Sequence, residues 1–146
     1  MLAAILRAAL GGWVKARRFQ GISTCVLGCG GPDTIEHYAG CICYHALSSK
    51  FFGLSRPTAE HQLCDFIGLV AASTSWAHSN LDSGEIAALR AIAAYAMYRV
   101  QGSVRHGVAR QDASELFRGF VRQATENHAK SRALVTRAFK RPQNQA

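Results

Sequence analysis

Hydrophobic residues recur every three or four positions over most of this 146-residue chain, which is the spacing of one face of an α-helix. The pattern predicts a mainly α fold of about five helices. Short glycine-, proline- and serine-containing stretches separate these segments, and we find no internal repeat. The predicted helices are residues 2–17, 34–52, a segment that begins after 58, 83–105 and 113–139.

Three pairs of an aspartate and a glutamate three residues apart predict helix starts, because each side chain of such a capping box accepts the other residue's backbone N–H. Residues 22–26 favour an extended arm. The boundaries predict an N-terminal unit over 1–53, a helical region over 54–139 packed on it, and a disordered tail over 140–146. The pairs are Asp33 with Glu36, Asp82 with Glu85, and Asp112 with Glu115.

The predicted helix over 84–105 is rich in alanine, which favours helix and permits a neighbouring helix to approach closely. We therefore expect it to pack closely in the fold and to offer a surface to a protein partner. Its apolar stripe includes Ile86, Leu89, Met97 and Val100.

Four residues near the predicted second helix suggest a metal site. Cys25, Cys29, His37 and Cys41 have the spacing C-x3-C-x7-H-x3-C. Three thiolates and an imidazole complete a zinc tetrahedron with no open position, which is typical of a structural site and not of a catalytic one. The sequence therefore predicts a Cys3His zinc-knuckle turn between the first and second helices, with structural Zn²⁺ as the cofactor.

The neighbouring residues favour this site. Glycines at 28, 30 and 31 permit a tight turn around the first two cysteines. His37 and Cys41 are four residues apart and would share one face of a continuous helix. Cys43 is expected to point away, and His45 is the alternative ligand. Two other interpretations of the cysteines stay open, namely free apolar thiols and disulfides.

The charge of the chain points to a polyanionic partner. The formal net charge is +8, from 17 basic and 9 acidic residues, and no acidic residue precedes Asp33. Such a field attracts nucleic acid, RNA or DNA. We predict phosphate contacts from Arg17, Arg18 and Lys50, with further contacts from some of the C-terminal arginines. The alternative is that the arginines only solvate the outer faces of helices.

Targeting signals are weak. No stretch approaches the roughly 20 apolar residues that a transmembrane helix needs, so no membrane partner is expected. The first ten residues carry an arginine within the apolar run and do not have the order of a secretory signal. We expect a nuclear or cytoplasmic protein. Because the N-terminal stretch is amphipathic and free of acids, a mitochondrial transit peptide is the alternative.

At these residues the chain resembles a known family. The strings RRF, CVLGC and DTIEHYAGC are similar to the zinc-binding segment near the C-terminus of LINE-type (non-LTR) retrotransposon reverse transcriptases. Trp13, Arg17 and Arg18 match the segment before the cysteine pair, and Ile35 and Tyr38 match helix packing positions. The similarity covers about residues 6–45. The gap from histidine to the last cysteine is often one residue longer in the family.

The resemblance implies a zinc knuckle that binds nucleic acid beside a polymerase. A polymerase needs adjacent aspartates to hold two metal ions, and this sequence contains no Asp-Asp pair. The resemblance therefore implies a detached C-terminal piece without polymerase activity. Neither a G-x-S-x-G nucleophile motif nor a complete phosphate-binding loop occurs, so no catalytic residue and no enzyme activity are expected.

Two classes of function follow. The first is a zinc-stabilised nucleic-acid-binding module that resembles the C-terminal part of a retroelement reverse transcriptase. The second is a structural or protein-interaction helical domain, or a nonfunctional retroelement relic, in which zinc only stabilises the fold.

Overall fold

A computed structural model describes residues 24–54, 56, 62–68, 81–106, 112–126 and 128–139. Over these residues the chain is mainly helical and has no strand beyond an isolated antiparallel bridge between Thr24 and Pro32. The predicted fold class is confirmed. The predicted helix over 2–17, the start of the helical segment after 58 and the predicted tail over 140–146 lie outside the described residues. The helices are α1 (Ile35–Gly40), α2 (Ile42–Phe52), α3 (Gln62–Phe66), α4 (Ser83–Arg105), α5 (Ala113–Thr125) and α6 (Ala129–Phe139).

Helix α4 forms the centre of the fold. The predicted capping box begins it, since Glu85 N donates to Asp82 Oδ1 at 2.8 Å and Asp82 N donates to Glu85 Oε2 at 3.2 Å. Helix α5 packs along α4, while α2, α3 and α6 also contact it. The alanine stripe is used inside the chain, where Ala91, Ala93, Ala94 and Ala96 are at most 3 % exposed. A protein partner on this helix stays a prediction.

An aromatic cluster joins α2 to α5. The rings of Phe51 and Phe117 stack with centroids 5.6 Å apart, and Phe52 meets Phe117 edge-on at 6.3 Å. All three side chains are buried. Burial of large aromatic side chains is among the strongest contributions to a helical core. No helix among the described residues is long and apolar enough to cross a membrane.

Two predicted helices are each divided in the structure. The one over 34–52 breaks at Cys41, whose ψ of 121° is extended, so α1 and α2 are separate helices. The one over 113–139 breaks after Thr125, whose hydroxyl donates to Val121 O and Arg122 O. A continuous helix of that length would extend about 40 Å in one direction. The break instead lets α6 return to contact α2, α4 and α5.

Two of the three predicted capping boxes are wrong. At α1 the N-cap is Thr34, whose Oγ1 accepts His37 N at 3.2 Å, and Asp33 is turned into the core. At α5 the Asp112 side chain makes no capping hydrogen bond. An aspartate and a glutamate three residues apart predict a cap from local spacing alone. The Asp33 side chain instead accepts hydrogen bonds from Gln101 and Arg105, so it is not available to cap the helix. The division of the chain into units at residue 53 stays a prediction.

Candidate metal centre

Three sulfur atoms and one imidazole nitrogen meet between α1 and the loop before it. The ligand atoms of Cys25, Cys29, His37 and Cys41 all lie within 4.8 Å of one another. The Sγ atom of Cys41 is 3.9 Å from that of Cys25 and 3.6 Å from that of Cys29. Zinc with Zn–S bonds of about 2.3 Å separates tetrahedral sulfur ligands by about 3.8 Å. The thiol positions therefore fit a tetrahedral ion, and the four residues can hold a metal.

Residues 24–41 form this centre and are called the knuckle below. Their loop is closed by Cys25 N, which donates to Gly31 O at 2.7 Å, and by Gly28 N, which donates to Cys25 O at 3.0 Å. Gly28 and Gly30 have φ angles of 79° and 81°, a region that side chains other than glycine rarely adopt. The two turns fold the loop back, so that Cys25 and Cys29 face the same point.

Gly31 makes room for the histidine ligand. A Cβ atom at this position would lie 2.2 Å from Cε1 and 2.5 Å from Nδ1 of the His37 ring. The ring thus lies directly against the glycine backbone, with Nε2 3.0 Å from the Sγ atom of Cys29. Only a residue without a side chain leaves the imidazole in this position. The glycines of the loop therefore serve two purposes, backbone turns at 28 and 30 and ring contact at 31.

Cys41 reaches the site by a different route from the one predicted. His37 lies in α1, but Cys41 is the residue at which that helix ends, and its N–H donates to Tyr38 O at 3.2 Å. The prediction that both ligands share one face of a continuous helix is therefore wrong. The extended ψ of Cys41 starts α2 in a new direction and leaves its thiol within the cluster.

Neither His45, the alternative ligand, nor Cys43 belongs to the cluster. The buried ring of His45 hydrogen-bonds through Nε2 to Ala39 O at 2.7 Å, and burial lowers the pKa of this imidazole. Cys43 is half-buried, and burial raises the pKa of its thiol. Both side chains lie outside the group of ligand atoms that come within 4.8 Å of one another.

The cysteines are thiols that share hydrogen bonds. All five are free, and the sulfur separations in the cluster far exceed the bond length of about 2.05 Å in a disulfide. The contact between Cys25 and Cys41 lowers the pKa of Cys25 and raises that of Cys41. A metal ion bound here would displace the thiol protons, because thiolates are the ligands.

A buried carboxylate attaches the knuckle to α4. The Asp33 side chain is 1 % exposed. Tyr38 Oη donates to its Oδ1 at 2.6 Å and Gln101 Nε2 donates to the same atom at 2.8 Å. Arg105 donates to Oδ2 from Nε at 2.8 Å and also from Nη2. Val26 N in turn donates to Tyr38 Oη at 3.2 Å. The network links the metal loop, α1 and the last turns of α4.

The electrostatics of this network favour an ionised Asp33. Burial alone would raise the pKa of the carboxyl, but the hydrogen bonds from Tyr38, Gln101 and Arg105 outweigh burial, and the pKa is lowered. Burial and the hydrogen bond to Asp33 raise the pKa of the Tyr38 hydroxyl. Tyr38 therefore remains a donor, and the Arg105 cation compensates the carboxylate.

The sequence gives little sign of this network because its members are distant along the chain. Asp33 precedes Gln101 by 68 residues and Arg105 by 72. The one local signal is that Gln101 and Arg105 are four residues apart and therefore share one face near the end of the helix.

Of the three predicted nucleic-acid contacts, one can be located. Lys50 is exposed near the end of α2, with its Nζ atom 5.6 Å from the centroid of the Phe51 ring. Arg17 and Arg18 lie outside the described residues. A phosphate contact from any of the three stays a prediction.

Comparisons with protein-family models, with curated proteins and with solved structures find no match for this chain. The similarity to LINE-type reverse transcriptases therefore stays a prediction from the sequence.

Proposed function

We propose that this chain is a zinc-stabilised nucleic-acid-binding module without catalytic activity, similar in role to the C-terminal part of a retroelement reverse transcriptase. The observation that carries the proposal is the Cys3His cluster, whose four ligand atoms lie within 4.8 Å. Because the protein supplies all four tetrahedral positions, no position is left for substrate or activated water. A metal bound here stabilises structure.

Zinc is the ion that suits these ligands best. Thiolates select soft or borderline metals such as Zn²⁺, Cu⁺ and iron, and exclude Mg²⁺ and Ca²⁺. Imidazole as the fourth ligand and the tetrahedral spacing favour zinc among these. The metal would hold the loop against α1, and Asp33 would transmit that order to α4 through Gln101 and Arg105.

The charge of the chain supports nucleic acid as the partner. A net charge of +8 on 146 residues attracts polyanions, and a metal-fixed knuckle is a common way to present basic side chains on a small fold. Phosphate contacts make such binding strongly salt-dependent and only weakly sequence-specific.

Two measurements on the purified chain test the proposal. Elemental analysis is expected to find one zinc per chain, and Cys29→Ser is expected to lose it while Cys64→Ser, at an exposed thiol outside the cluster, retains it. Fluorescence anisotropy with RNA and DNA is expected to show log Kd rising with log salt, by about 0.7 to 0.9 for each phosphate contacted. Affinity independent of salt, or no binding to either nucleic acid, rejects the proposal.

Two exposed apolar side chains favour a second candidate, a protein-interaction domain. Ile42 is 64 % exposed at the start of α2, and Leu63 is 40 % exposed on α3. A partner that covers these side chains would remove apolar surface from water. Sedimentation that shows a stable dimer, unchanged by added RNA and disrupted by Ile42→Ser, would favour this function over the first.

A further inference from the structure

We infer that the groove between α2, α5 and α6 binds the phosphate backbone of a nucleic-acid strand, an inference that rests on the proposed function and assigns its binding surface. The groove has a volume of about 670 Å³. Its lining contains four cations, Lys50, Arg118, Arg122 and Arg132, and one acid, Glu126. It lies apart from the metal ligands, none of which lines it.

The shape of the groove follows from helical periodicity. On α5 the lining residues are spaced three or four apart, so they form one stripe along the helix. The floor is apolar, since Phe51, Val121 and Val135 are at most 6 % exposed. The residues of the stripe are Arg118, Val121, Arg122 and Thr125.

Two of the cations are positioned by an aromatic ring. The guanidinium carbon of Arg118 and the ammonium nitrogen of Lys50 each lie 5.6 Å from the centroid of Phe51. Cation–π contacts of this kind hold the charged groups in place without neutralising them. Phe51 is itself fixed by stacking on Phe117. The groove thus carries positive charge that is partly organised before a ligand arrives.

Other arginines of the chain are engaged within the protein. Arg105 is paired with the buried Asp33, Arg137 with Glu85, and Arg99 lies 4.7 Å above the Phe120 ring. Three of the four groove cations, in contrast, have no acidic partner: among the described residues no acid comes within ion-pair distance of Lys50, Arg122 or Arg132.

Arg118 has one acidic neighbour, at the edge of ion-pair range. Its Nη1 lies 3.9 Å from Glu115, with 50 % and 74 % of the two side chains exposed. Exposed pairs of this kind contribute little and exchange partners easily. The groove is therefore a surface where positive charge exceeds negative charge.

The number and spacing of the cations favour a polymer over a small anion. Four basic side chains from three helices surround a space far larger than one phosphate group, and the floor between them is apolar. A nucleic-acid strand offers repeated phosphates for the rim, and its sugars and bases suit the floor.

Paired variants that remove one charge each test the inference. Arg132→Gln removes a groove cation from α6, whereas Lys130→Gln removes an exposed cation two residues away, about 200° around the same helix and outside the groove. Binding of a single-stranded RNA and of a duplex DNA is measured by anisotropy over a range of salt concentrations. Each lost phosphate contact is expected to reduce the slope of log Kd against log salt by about 0.7 to 0.9. We expect this for Arg132→Gln and no change for Lys130→Gln.

A variant with three substitutions should reduce the salt dependence of binding further than any single one. Lys50→Gln, Arg122→Gln and Arg132→Gln together are expected to reduce the slope by about 2 to 3 and to weaken binding at least about tenfold at 0.1 M salt. The three side chains are exposed, so circular dichroism and the midpoint of thermal unfolding should match the wild type. Zinc content should also be unchanged, since no metal ligand is altered.

The outcomes separate this inference from the proposed function. If the wild type binds neither RNA nor DNA, the proposed function fails and the inference with it. If the wild type binds and the triple variant keeps the full slope, the groove is excluded while the proposed function stands. Polyglutamate that competes as well as RNA at equal charge overturns the inference as well, because the groove would then bind any acidic polymer. A loss confined to the groove variants, with either nucleic acid, supports it.

Discussion

The knuckle and the helical body formed by α4, α5 and α6 are stabilised by different kinds of interaction. The body buries a continuous set of apolar side chains, among them Leu89, Met97 and Phe117 at 0 % exposure. The knuckle buries two cysteine ligands, Cys25 and Cys41, together with the charged Asp33. An apolar core is stable by itself, whereas buried thiols and a carboxylate need specific partners. We therefore expect the knuckle to depend on a metal ion and on its contacts with α4, and the body to keep its own apolar core when the metal is removed.

Metal removal should give the largest difference between the two regions. We expect a zinc chelator, or Cys29→Ser, to unfold residues 24–44 while α4 and α5 persist. Structural zinc contributes about 10–16 kcal/mol of apparent binding free energy in small finger peptides, more than a loop of this size can replace. Hydrogen exchange followed by mass spectrometry measures protection of each segment.

Two hydrogen-exchange results would contradict the expected difference between the knuckle and the body. Equal loss of protection in the knuckle and in α4 would show a single cooperative unit, and protection of residues 24–44 that survives chelation would show that the metal is not needed for their structure.

Asp33→Asn should be the most harmful single substitution outside the ligands. The amide keeps the size of the side chain but leaves Arg105, whose side chain is 13 % exposed, without its counter-charge. Breaking a buried ion pair on one side typically costs about 3–5 kcal/mol. Asp112→Asn is the matched control, because Asp112 is exposed and its side chain makes no capping hydrogen bond. Urea unfolding of both variants measures the free energies, and similar values would reject a structural role for Asp33.

The same carboxylate predicts a pH dependence. The pKa of Asp33 is lowered from its ordinary value of 3.8, so the folded state favours the ionised form. Its stabilisation is fully present above the ordinary pKa and is lost as the pH falls through the lowered one. Acid also releases zinc, which by the first prediction unfolds the segment that carries Asp33, so zinc loss reduces the difference between the two proteins in the same direction as protonation of Asp33. The difference between their unfolding free energies should therefore shrink below about pH 4, and a constant difference down to pH 2 would contradict the assignment.

Gly31→Ala should weaken metal binding without unfolding the body. The new Cβ would lie 2.2 Å from Cε1 of the His37 ring, so the ring must shift from its present place beside the Cys29 sulfur. Displaced ligand geometry typically reduces metal affinity about 10–100-fold. Gly119→Ala is the control, since nothing lies within 4 Å of a Cβ at that helical position. Competition with a chromogenic chelator measures both affinities, and equal values would show that the ring tolerates the methyl group.

The features that the sequence predicts correctly depend on residues that are close together along the chain. Ligand spacing was sufficient to identify the four residues of the cluster, and the box of Asp82 and Glu85 was sufficient to locate the start of α4. The breaks at Cys41 and after Thr125 were missed because both segments are helical by local pattern, and only packing against other helices selects a turn.

Asp33 was misassigned for a related reason. The capping box is predicted from Asp33 and Glu36 alone. The partners that Asp33 has in the structure, Gln101 and Arg105, lie 68 and 72 residues away along the chain. Of the groove residues, the sequence singles out only Lys50 by number, because no periodicity in the sequence shows which C-terminal arginines meet α2. Both cases show that long-range polar contacts leave little trace in a single sequence.

The smallest expected effect comes from a substitution in the body that should leave the knuckle unchanged. Asp82→Ala removes the N-cap of α4 and should reduce stability by about 1 kcal/mol, because the backbone N–H of Glu85 loses its acceptor. The cap is about 30 Å along the helix from Gln101 and Arg105, so fraying of the first turn should not reach the Asp33 network. We therefore expect unchanged zinc affinity with a lower unfolding midpoint, both measurable on one sample by calorimetry with and without chelator. A fall in zinc affinity on Asp82→Ala would mean that α4 transmits disorder along its whole length, and the two regions would then have to be regarded as one.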